Sequence, residues 1–368
     1  MTTNAHAAVL HGQDAPFTFE EITLDDIRPN ELLVKVAATG LCHTDLAVQH
    51  GHIPAAFPFV LGHEGAGTVE QVGDAVVGYA VGDKVAVSFA SCGHCTNCLT
   101  GREAYCRNFM ALNFGGARED GSATMTAADG SAVHGSFFGQ SSFASHVIVE
   151  ARNAVKLPAT ADVEIAGPLG CGVQTGAGTV LNSLDVPAGA SVIVTGTGAV
   201  GLSSIIGAKV AGATTIIAVD IIPERLEFAA KLGATHTVNS KDEDAVARIL
   251  EITGGVGADY AVDTTAVPAV VDTIVAATAF GAKIALVGVP KPGAEIALAS
   301  ISGSGKTFVG AIEGDAVPQK FIPEMLALHE AGRFPFEQLI TKYPFSEIEQ
   351  AIADTQSGKA VKAVLVMD

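Results

Sequence analysis

Four of the six cysteines in this sequence stand at a spacing that suits a single metal ion. The pattern C-x2-C-x2-C-x7-C lies in a glycine-rich stretch and comprises Cys92, Cys95, Cys98 and Cys106. Four thiolates this close in sequence can enclose one tetrahedral zinc ion, as they do in closed structural sites. An iron–sulfur cluster is the alternative, but no proline follows Cys106 and no second cysteine run is present. The spacing therefore favours structural zinc over a cluster or over free buried thiols.

The other two cysteines, Cys42 and Cys171, are far apart, and His63 and Glu64 stand between them in the sequence Gly-His-Glu-Gly. Two thiolates and one imidazole leave the fourth position of a zinc ion open, which is typical of a catalytic site. Taken singly, a buried cysteine is usually a small apolar residue, and a lone histidine is more often structural. This ligand set is therefore a hypothesis that depends on the other metal and cofactor signals in the chain.

A dinucleotide site is indicated between residues 191 and 220. A β-branched run leads into Gly196-x-Gly198-x-x-Gly201, an apolar-periodic stretch follows, and a second apolar run ends at Asp220. This order of strand, glycine turn, helix, strand and acid is the dinucleotide fingerprint, although an ordinary βαβ crossover is the alternative. The glycines permit a tight turn, close approach to a pyrophosphate and helix–strand packing. Because no arginine stands beside Asp220 to receive a 2′-phosphate, the sequence predicts NAD rather than NADP.

The elements that must position these residues fall into two groups along a chain of 368 residues, which is long enough for two domains. Up to about residue 170, short strands alternate with glycine, aspartate and proline. From about residue 173, alternating strands and helices predict an α/β domain with a Rossmann-type, doubly wound parallel sheet. The segment after residue 312 is expected to return to the first domain. The predicted division is therefore 1–172 with 313–368 in one domain, and 173–312 in the NAD-binding domain.

Individual elements follow from the same patterns. In the first part, strands are predicted at 31–37, 67–72 and 84–87. In the second part, strands are predicted at 258–263, 283–289 and 307–310, with helices at 223–232 and 268–280. The last part is expected to contain helices at 321–331 and 345–355 and a strand at 361–366.

Composition excludes several classes of function. Acidic residues outnumber basic residues 39 to 21, giving a net charge of −18, so nucleic acid and anionic membrane surfaces are not expected partners. The N-terminal stretch lacks the basic and apolar regions of a secretory signal, and no apolar run reaches the length of a membrane span. Cysteine spacing that suits metal ions fits a reducing compartment, so we expect a cytoplasmic protein that acts on a small molecule.

Several longer motifs carry a family resemblance. They are ATGLCHTD at 38–45, SFFGQSSF at 136–143, GPLGCGVQTGAG at 167–178 and FPF at 334–336. Over essentially its whole length the sequence resembles the zinc-dependent medium-chain alcohol dehydrogenases, and within them most the aryl-alcohol (benzyl alcohol) dehydrogenase branch. The resemblance implies a β-rich GroES-like catalytic domain beside the Rossmann domain, with NAD and two Zn²⁺ per chain. It also implies reversible oxidation of primary aromatic or allylic alcohols to aldehydes by zinc-assisted hydride transfer.

The resemblance assigns roles around the metal. It implies that the catalytic zinc ligands are Cys42, His63 and Cys171. Glu64 matches a carboxylate that can approach the metal during ligand exchange, or alternatively a structural acid within its loop. Thr44 matches the hydroxyl that takes the proton of the substrate, and Asp45 matches the acceptor for the zinc-bound imidazole. A simple turn and helix cap is the alternative for these two residues.

Further positions match contacts to the cofactor and the substrate. Those near the nicotinamide are Thr175, Val200, Val287 and Val289. His43 falls where the family often places an arginine against the pyrophosphate. Arg225 resembles a basic residue near the adenosine ribose, and Lys362 resembles a pyrophosphate contact, with solvated surface charge as the alternative for both. Phe89 and Phe137 match the substrate pocket, or alternatively the ordinary core.

One departure from the family pattern concerns proton transfer. Some relatives have a histidine relay where this sequence has Ala47, and His50 and His52 are close by in sequence. The route of the proton to solvent is therefore left open.

Other functions compatible with these motifs are glutathione-dependent formaldehyde dehydrogenase and a broad-range or terpenoid alcohol dehydrogenase. The former needs a basic anchor for glutathione, where this sequence offers phenylalanines. A non-catalytic protein that binds NAD and zinc is disfavoured by the intact ligand set beside Thr44. Segment 107–136 is long enough to keep a loop that shorter, tetrameric relatives lack, so the resemblance favours a homodimer over a tetramer.

Overall fold

The computed structural model describes residues 3–291, 293–296 and 298–367 of the chain. This described part divides into two compact units. The first comprises Met1–Cys171, Val317–Pro323 and Leu339–Asp368, and the second comprises Gly172–Ala316 and Glu324–Gln338. Gly172 and residues 313–316 and 324–338, which the sequence analysis assigned to the first domain, therefore cluster with the second unit. Within the described ranges no helix is both long enough and apolar enough to cross a bilayer.

Strands dominate the first unit up to residue 156. They are β1 (Thr3–Leu10), β2 (Phe17–Leu24), β3 (Glu31–Gly40), β4 (Phe59–Val60), β5 (Gly65–Val72), β6 (Lys84–Val87), β7 (Met125–Ala127), β8 (Ala132–Val133), β9 (His146–Glu150) and β10 (Ala154–Lys156). Short helices stand between or after them: α1 (His43–Gln49), α2 (Thr96–Leu99), α3 (Phe109–Phe114) and α4 (Val163–Ala166). One sheet has the order β4-β1-β2-β7-β8, and the other contains β10-β6-β5-β3, with β9 also paired to β3. Valines from neighbouring strands of the second sheet, Val34, Val69, Val85 and Val147, form part of the buried core.

The second unit alternates strands and helices. Its elements are α5 (Gly172–Gly178), β11 (Ser191–Thr195), α6 (Ala199–Ala211), β12 (Thr215–Asp220), α7 (Pro223–Leu232), β13 (His236–Asn239), α8 (Ala245–Ile252), β14 (Ala258–Asp263), α9 (Pro268–Ala277), β15 (Thr278–Leu286), α10 (Leu298–Ser302) and β16 (Thr307–Gly310). The strands are parallel in the order β13-β12-β11-β14-β15-β16. This is the 3-2-1-4-5-6 order of the dinucleotide-binding fold, so the predicted Rossmann-type sheet is confirmed.

The C-terminal part returns to the sheet of the first unit. It contains α11 (Pro318–Glu330), β17 (Ile340–Pro344), α12 (Ile348–Gln356) and β18 (Lys362–Val366). Strand β18 pairs antiparallel with β3 and parallel with β17. The sequence analysis predicted β18 but not β17.

The boundary between α9 and β15 differs from the prediction, which ended the helix at 280 and the strand at 289. The Thr278 hydroxyl donates a hydrogen bond of 2.8 Å to the carbonyl of Ile274, and the backbone of Thr278 is already extended, so the helix stops there. Gly281 adopts a φ of +74° in the irregular first half of β15. The strand ends at Leu286, so Val287 and Val289 lie beyond it.

The turn between β11 and α6 depends on its glycines. Gly196 has a φ of +81°, and a Cβ built on Gly201 would lie 1.8 Å from the carbonyl oxygen of Gly196. A Cβ on Gly198, by contrast, would meet nothing within 4 Å. The requirement for glycine is therefore steric at Gly201, whereas at Gly198 the missing side chain leaves open space at the start of the helix.

We expect Gly201→Ala to lower the free energy of unfolding by about 1–3 kcal/mol, because the added methyl group must displace the Gly196 carbonyl. Gly198→Ala is the matched control and should change that free energy by less than about 0.5 kcal/mol. Urea unfolding followed by circular dichroism measures both. Equal losses in the two variants would contradict the steric role of Gly201.

Candidate functional site

Side chains that the sequence analysis grouped as metal ligands converge within the first unit. A sulfur from each of Cys42 and Cys171, a ring nitrogen of His63 and a carboxylate oxygen of Glu64 all lie within 4.8 Å of one another. His63 and Glu64 are fully buried. The residues of this cluster are up to 129 positions apart in sequence.

Three separate loops supply these side chains. Cys42 follows β3 and is the N-cap of α1, His63 lies between β4 and β5, and Cys171 follows the 3-10 turn Gly167–Gly170. Because each loop begins or ends at a core strand or a helical turn, the positions of the donor atoms depend on how these elements pack.

Two glycines let the loops approach Glu64. A Cβ on Gly40 would lie 1.9 Å from Glu64 Oε2, and a Cβ on Gly167 would lie 2.1 Å from the Glu64 carbonyl oxygen. The backbone N–H of Gly40 donates to that same carbonyl at 3.0 Å. Any side chain at these positions would push the Glu64 loop away from its neighbours.

Asp45 links two of the ligand-bearing loops. Its Oδ1 accepts hydrogen bonds from His63 Nδ1 at 3.1 Å and from the Gly62 N–H at 3.0 Å, and its Oδ2 accepts from the Cys42 N–H at 2.9 Å. Asp45 is itself fully buried. The carboxylate therefore caps α1 and also fixes the orientation of the imidazole, so that Nε2 is the nitrogen left to act as a ligand.

Lys362 lies at this cluster rather than at a surface position. Its Nζ donates to both carboxylate oxygens of Glu64, at 2.8 and 2.9 Å, and to the Leu41 carbonyl at 3.0 Å. Only 3 % of the residue is exposed, because β18 is an inner strand of its sheet. Burial lowers the pKa of Lys362, but the charges of Glu64 and Cys42 outweigh it and raise that pKa. The sequence analysis expected Lys362 to contact a pyrophosphate. In the structure its ammonium group is bound instead to oxygens of Glu64 and Leu41.

The charges around the cluster favour a bound cation. A hydrogen bond from the Cys171 thiol, together with the charges of His63 and Lys362, holds the pKa of Cys42 well below its usual range despite burial. Burial lowers the pKa of His63, but the negative charges of Asp45 and Cys42 prevail and raise it. The buried Nε2 of His63 has no hydrogen-bond partner within the described residues. Two thiol sulfurs and one such nitrogen are donors that suit zinc, so the residues present fit this ion.

Thr44 and the neighbouring positions of α1 lie close to Cys42 in sequence. Thr44 Oγ1 is 3.7 Å from Cys42 Sγ, and Thr44 is half-buried in the first turn of α1. His43 is exposed at the first position of the helix. Ala47 is buried and offers no titratable group, whereas His50 Nδ1 is hydrogen-bonded to Asp14 Oδ1 at 2.8 Å.

Aromatic rings pack against the imidazole of His63. The ring of Phe138 stacks on it with centroids 4.4 Å apart, and the ring of Phe137 meets it edge-on at 5.3 Å. Phe114 packs against both phenylalanines, and Phe109 joins Phe138 to Phe89. The sequence analysis named Phe137 and Phe89 but missed Phe138, whose φ of +52° turns its ring onto His63. A positive φ at a phenylalanine has no signal in a single sequence.

The four clustered cysteines form a separate site in the first unit. Their sulfurs lie within 4.8 Å of one another. Backbone N–H groups of Cys92 and Asn108 donate to the Cys106 sulfur at 3.3 and 3.4 Å. Hydrogen bonds from the backbone of Arg107 and from Cys98 lower the pKa of Cys95 to about 6, and burial raises the pKa of Cys98 to about 12. All six cysteines of the chain are among the described residues, and none forms a disulfide. Four converging sulfurs with N–H donors around them also fit zinc.

The dinucleotide fingerprint lies in the second unit. Asp220, at the end of β12, accepts hydrogen bonds at one oxygen from the N–H and the hydroxyl of Thr197, and at the other from the N–H groups of Ile221 and Ile222. The open space at Gly198 and the close approach at Gly201 leave the start of α6 accessible to a pyrophosphate. These features fit NAD.

The remaining predicted cofactor contacts also lie in the second unit. Thr175 is buried in α5, 3.5 Å from a carboxylate oxygen of Glu313. The Arg225 side chain is half-buried in α7, and its Nε has no hydrogen-bond partner in the described part of the chain. Val200 and Val287 are half-buried, and Val289 is 55 % exposed.

Comparisons with known proteins agree with this geometry. A family model described as alcohol dehydrogenase GroES-like domain matches residues 28–159, and one described as zinc-binding dehydrogenase matches residues 199–331. The chain is 43 % identical to geraniol dehydrogenase of Castellaniella defragrans over 99 % of this chain and 98 % of that protein. Two crystal structures are similar to this chain over 100 % of its length and over 100 % of the length of their own chains. They are an alcohol dehydrogenase zinc-binding domain protein from Burkholderia ambifaria (TM-score 0.97, 49 % identity) and benzyl alcohol dehydrogenase from Acinetobacter calcoaceticus (TM-score 0.95, 43 % identity).

We expect Asp45→Asn to weaken metal binding at the Cys42–His63–Cys171 cluster by about 10- to 100-fold, because an amide cannot accept all three hydrogen bonds. The four-cysteine site should keep its metal. Asp14→Asn is the matched control, since it changes another aspartate that binds a histidine, and it should leave the affinity unchanged. Metal analysis after dialysis against graded chelator measures the effect, and retention of both metals in Asp45→Asn at wild-type affinity would contradict it.

Proposed function

The chain belongs to the zinc-dependent medium-chain alcohol dehydrogenases, and from that premise we propose that it oxidises primary aromatic and allylic alcohols to aldehydes with NAD. Alcohol dehydrogenase activity on small-molecule alcohols, with NAD and zinc as cofactors, follows from the family. The choice of an unsaturated alcohol is the part that we add. The expected homodimer stays a prediction, which light scattering against the chain mass of 37.3 kDa would check.

The observation that carries the substrate class is the group of phenylalanine rings beside His63. Phe137 and Phe138 touch the imidazole directly, and Phe89, Phe109 and Phe114 extend the group. Phe89, Phe137 and Phe138 are almost completely buried in the core, whereas Phe109 and Phe114 are only partly buried. A flat, apolar substrate suits the exposed parts of these last two rings, since aromatic pairs gain energy from edge and offset-stacked contacts beyond their buried area. Geraniol and benzyl alcohol, which the names of two relatives mention, both carry the CH₂OH group on an unsaturated carbon.

In the proposed mechanism Cys42, His63 and Cys171 would hold zinc, and the turn at Gly196 to Gly201 with Asp220 would hold NAD. When bound, these groups supply Lewis acidity toward an alcohol oxygen and an acceptor for hydride. The alcohol loses one proton from its hydroxyl and one hydride from its carbon, which yields the aldehyde and NADH.

The residues of the chain handle the proton and the orientation. The hydroxyl of Thr44, which lies 3.7 Å from Cys42 Sγ, would accept the alcohol proton through a hydrogen bond. Asp45 keeps His63 Nδ1 engaged, so the imidazole cannot turn away from the ligand cluster. The ring of Phe138 covers one face of that imidazole and excludes water from it. Because Ala47 has no acid–base group, Thr44 must pass the proton on by a route that does not use the side chain at position 47.

Steady-state kinetics on a panel of alcohols tests the substrate class. We expect kcat/KM for benzyl alcohol and geraniol to exceed that for ethanol by at least about 100-fold, because each methylene-sized apolar contact contributes roughly 10-fold or more. Comparable values for ethanol would reject the unsaturated-alcohol proposal and leave the dehydrogenase activity intact. Higher kcat/KM for S-hydroxymethylglutathione than for benzyl alcohol would instead favour the glutathione-dependent branch.

A pair of variants tests the role of Thr44. Thr44→Val keeps the volume but removes the hydroxyl, so kcat for benzyl alcohol should fall by about 10²- to 10⁴-fold. Thr44→Ser keeps the hydroxyl and should retain most of the activity. Metal content serves as the control and should stay at the wild-type level in both variants. Full activity of Thr44→Val would exclude this hydroxyl from proton transfer.

A further inference from the structure

Gln140 is a fully buried amide that contacts the backbone on both sides of Glu64. Its Oε1 accepts a hydrogen bond of 2.9 Å from the Gly65 N–H, and its Nε2 donates one of 3.0 Å to the His63 carbonyl. A primary amide offers the same donor and acceptor as a peptide group. The Gln140 side chain therefore forms with residues 63–65 the two hydrogen bonds, one donated and one accepted, that a peptide group of a neighbouring strand would form.

The backbone around Gln140 is arranged to deliver this side chain. The N–H groups of Ser142 and Phe143 donate to the carbonyls of Gly62 and Leu61, at 2.8 and 2.9 Å. These bonds hold residues 142–143 beside residues 61–62, and the Gln140 amide adds two further hydrogen bonds to the residues that follow, His63 and Gly65. Phe138, Gly139 and Ser141 all have positive φ values, of 52°, 66° and 56°. A non-glycine residue in this region costs about 1–2 kcal/mol, so two such residues in one short segment indicate that the conformation is held by its contacts.

The same amide reaches toward the second ligand loop. Gln140 Nε2 also lies 3.4 Å from the Ser88 carbonyl, and Ser88 Oγ donates a hydrogen bond of 2.6 Å to the carbonyl of Gly170. Gly170 immediately precedes Cys171. Hydrogen bonds thus connect the loop of His63 to the loop of Cys171 through Gln140 and Ser88, without passing through the donor atoms themselves.

We propose that Gln140 is a positioning residue whose amide sets the spacing between the His63 and Cys171 loops and so holds the ligand cluster ready for its metal. The inference rests on the proposed catalytic zinc at Cys42, His63 and Cys171. It assigns to Gln140 a role different from that of Asp45, because Asp45 bonds to Cys42, Gly62 and His63, whereas Gln140 is connected through Ser88 to the Cys171 loop. Outer partners of metal ligands typically change metal affinity by about 10- to 100-fold when they are lost.

The experiment follows the release of zinc from the full-length protein to a chromogenic chelator. Wild-type protein should release two zinc ions in two phases, and the phase that is missing in Cys42→Ser identifies the catalytic cluster. Gln140→Met keeps the length of the side chain but removes both polar atoms. It should speed zinc release from the Cys42–His63–Cys171 cluster by roughly tenfold or more, while release from the four-cysteine site is unchanged. Gln49→Met is the matched control: Gln49 is also buried in the first unit, and its amide donates to the Ala15 carbonyl. This control should alter neither phase.

The outcomes separate the inference from its premise. Equal acceleration of both phases in Gln140→Met, or acceleration of neither, would overturn the role of Gln140. A wild-type protein without a Cys42-dependent phase would overturn the zinc proposal itself, and the inference with it. If Gln140→Met does not fold, Gln140→Asn takes its place under the same criteria, since an amide shortened by one carbon cannot span the His63 carbonyl and the Gly65 N–H.

Discussion

Ionisable groups buried within 4.8 Å of one another must balance their charges, and this constraint governs the first unit of the protein. An uncompensated charge in a protein interior costs several kcal/mol, and in this cluster the ionisable side chains are bonded to one another. Glu64 is bonded at both oxygens to Lys362, and His63 is bonded to Asp45. The two thiol groups remain, and lowering the pKa of Cys42 favours its thiolate. A divalent cation bound to two thiolates would be neutral, and the Asp45 carboxylate is stabilised by its three hydrogen bonds, so the electrostatics and the donor chemistry lead to the same conclusion.

Charge balance alone does not place the donor atoms, because they belong to three loops. The loops are joined by side chains that bond to backbone groups: Asp45 binds the N–H groups of Cys42 and Gly62, Gln140 binds the His63 carbonyl and Gly65 N–H, and Ser88 binds the Gly170 carbonyl. Each of these residues is fully buried. Bonds of this kind are strong inside a protein, since an unpaired polar group there is costly. These side chain–backbone hydrogen bonds therefore fix the loops relative to one another, as backbone hydrogen bonds between strands do in the sheet.

Much of this organisation could be predicted from the sequence, where the signal is local. Two such local signals are the four cysteines within 15 positions and the glycine turn between two apolar runs, since each can be recognised from a short stretch of sequence. The predicted Rossmann-type sheet was confirmed. Contacts between distant residues had no such signal. Lys362 was expected at a pyrophosphate, with a surface charge as the alternative, because nothing in its own strand reveals that Glu64, 298 positions away, faces it. Phe138 and Gln140 were missed because their roles follow from positive φ values in a loop, and the β15 boundary was misplaced because the Thr278 hydroxyl ends the preceding helix.

The left-handed backbone at Phe138 has a consequence for attempts to make this protein more heat-resistant. Judged by the backbone alone, glycine would be the better residue there, since it would relieve roughly 1–2 kcal/mol of steric strain. Yet deleting a buried phenylalanine ring leaves a cavity that costs about 3–5 kcal/mol, and here the cavity would open onto an imidazole. Position 138 is thus one where a search for stabilising substitutions guided by torsion angles would choose wrongly. The strained backbone at Phe138 is therefore retained because the ring covers one face of the His63 imidazole and excludes water from it.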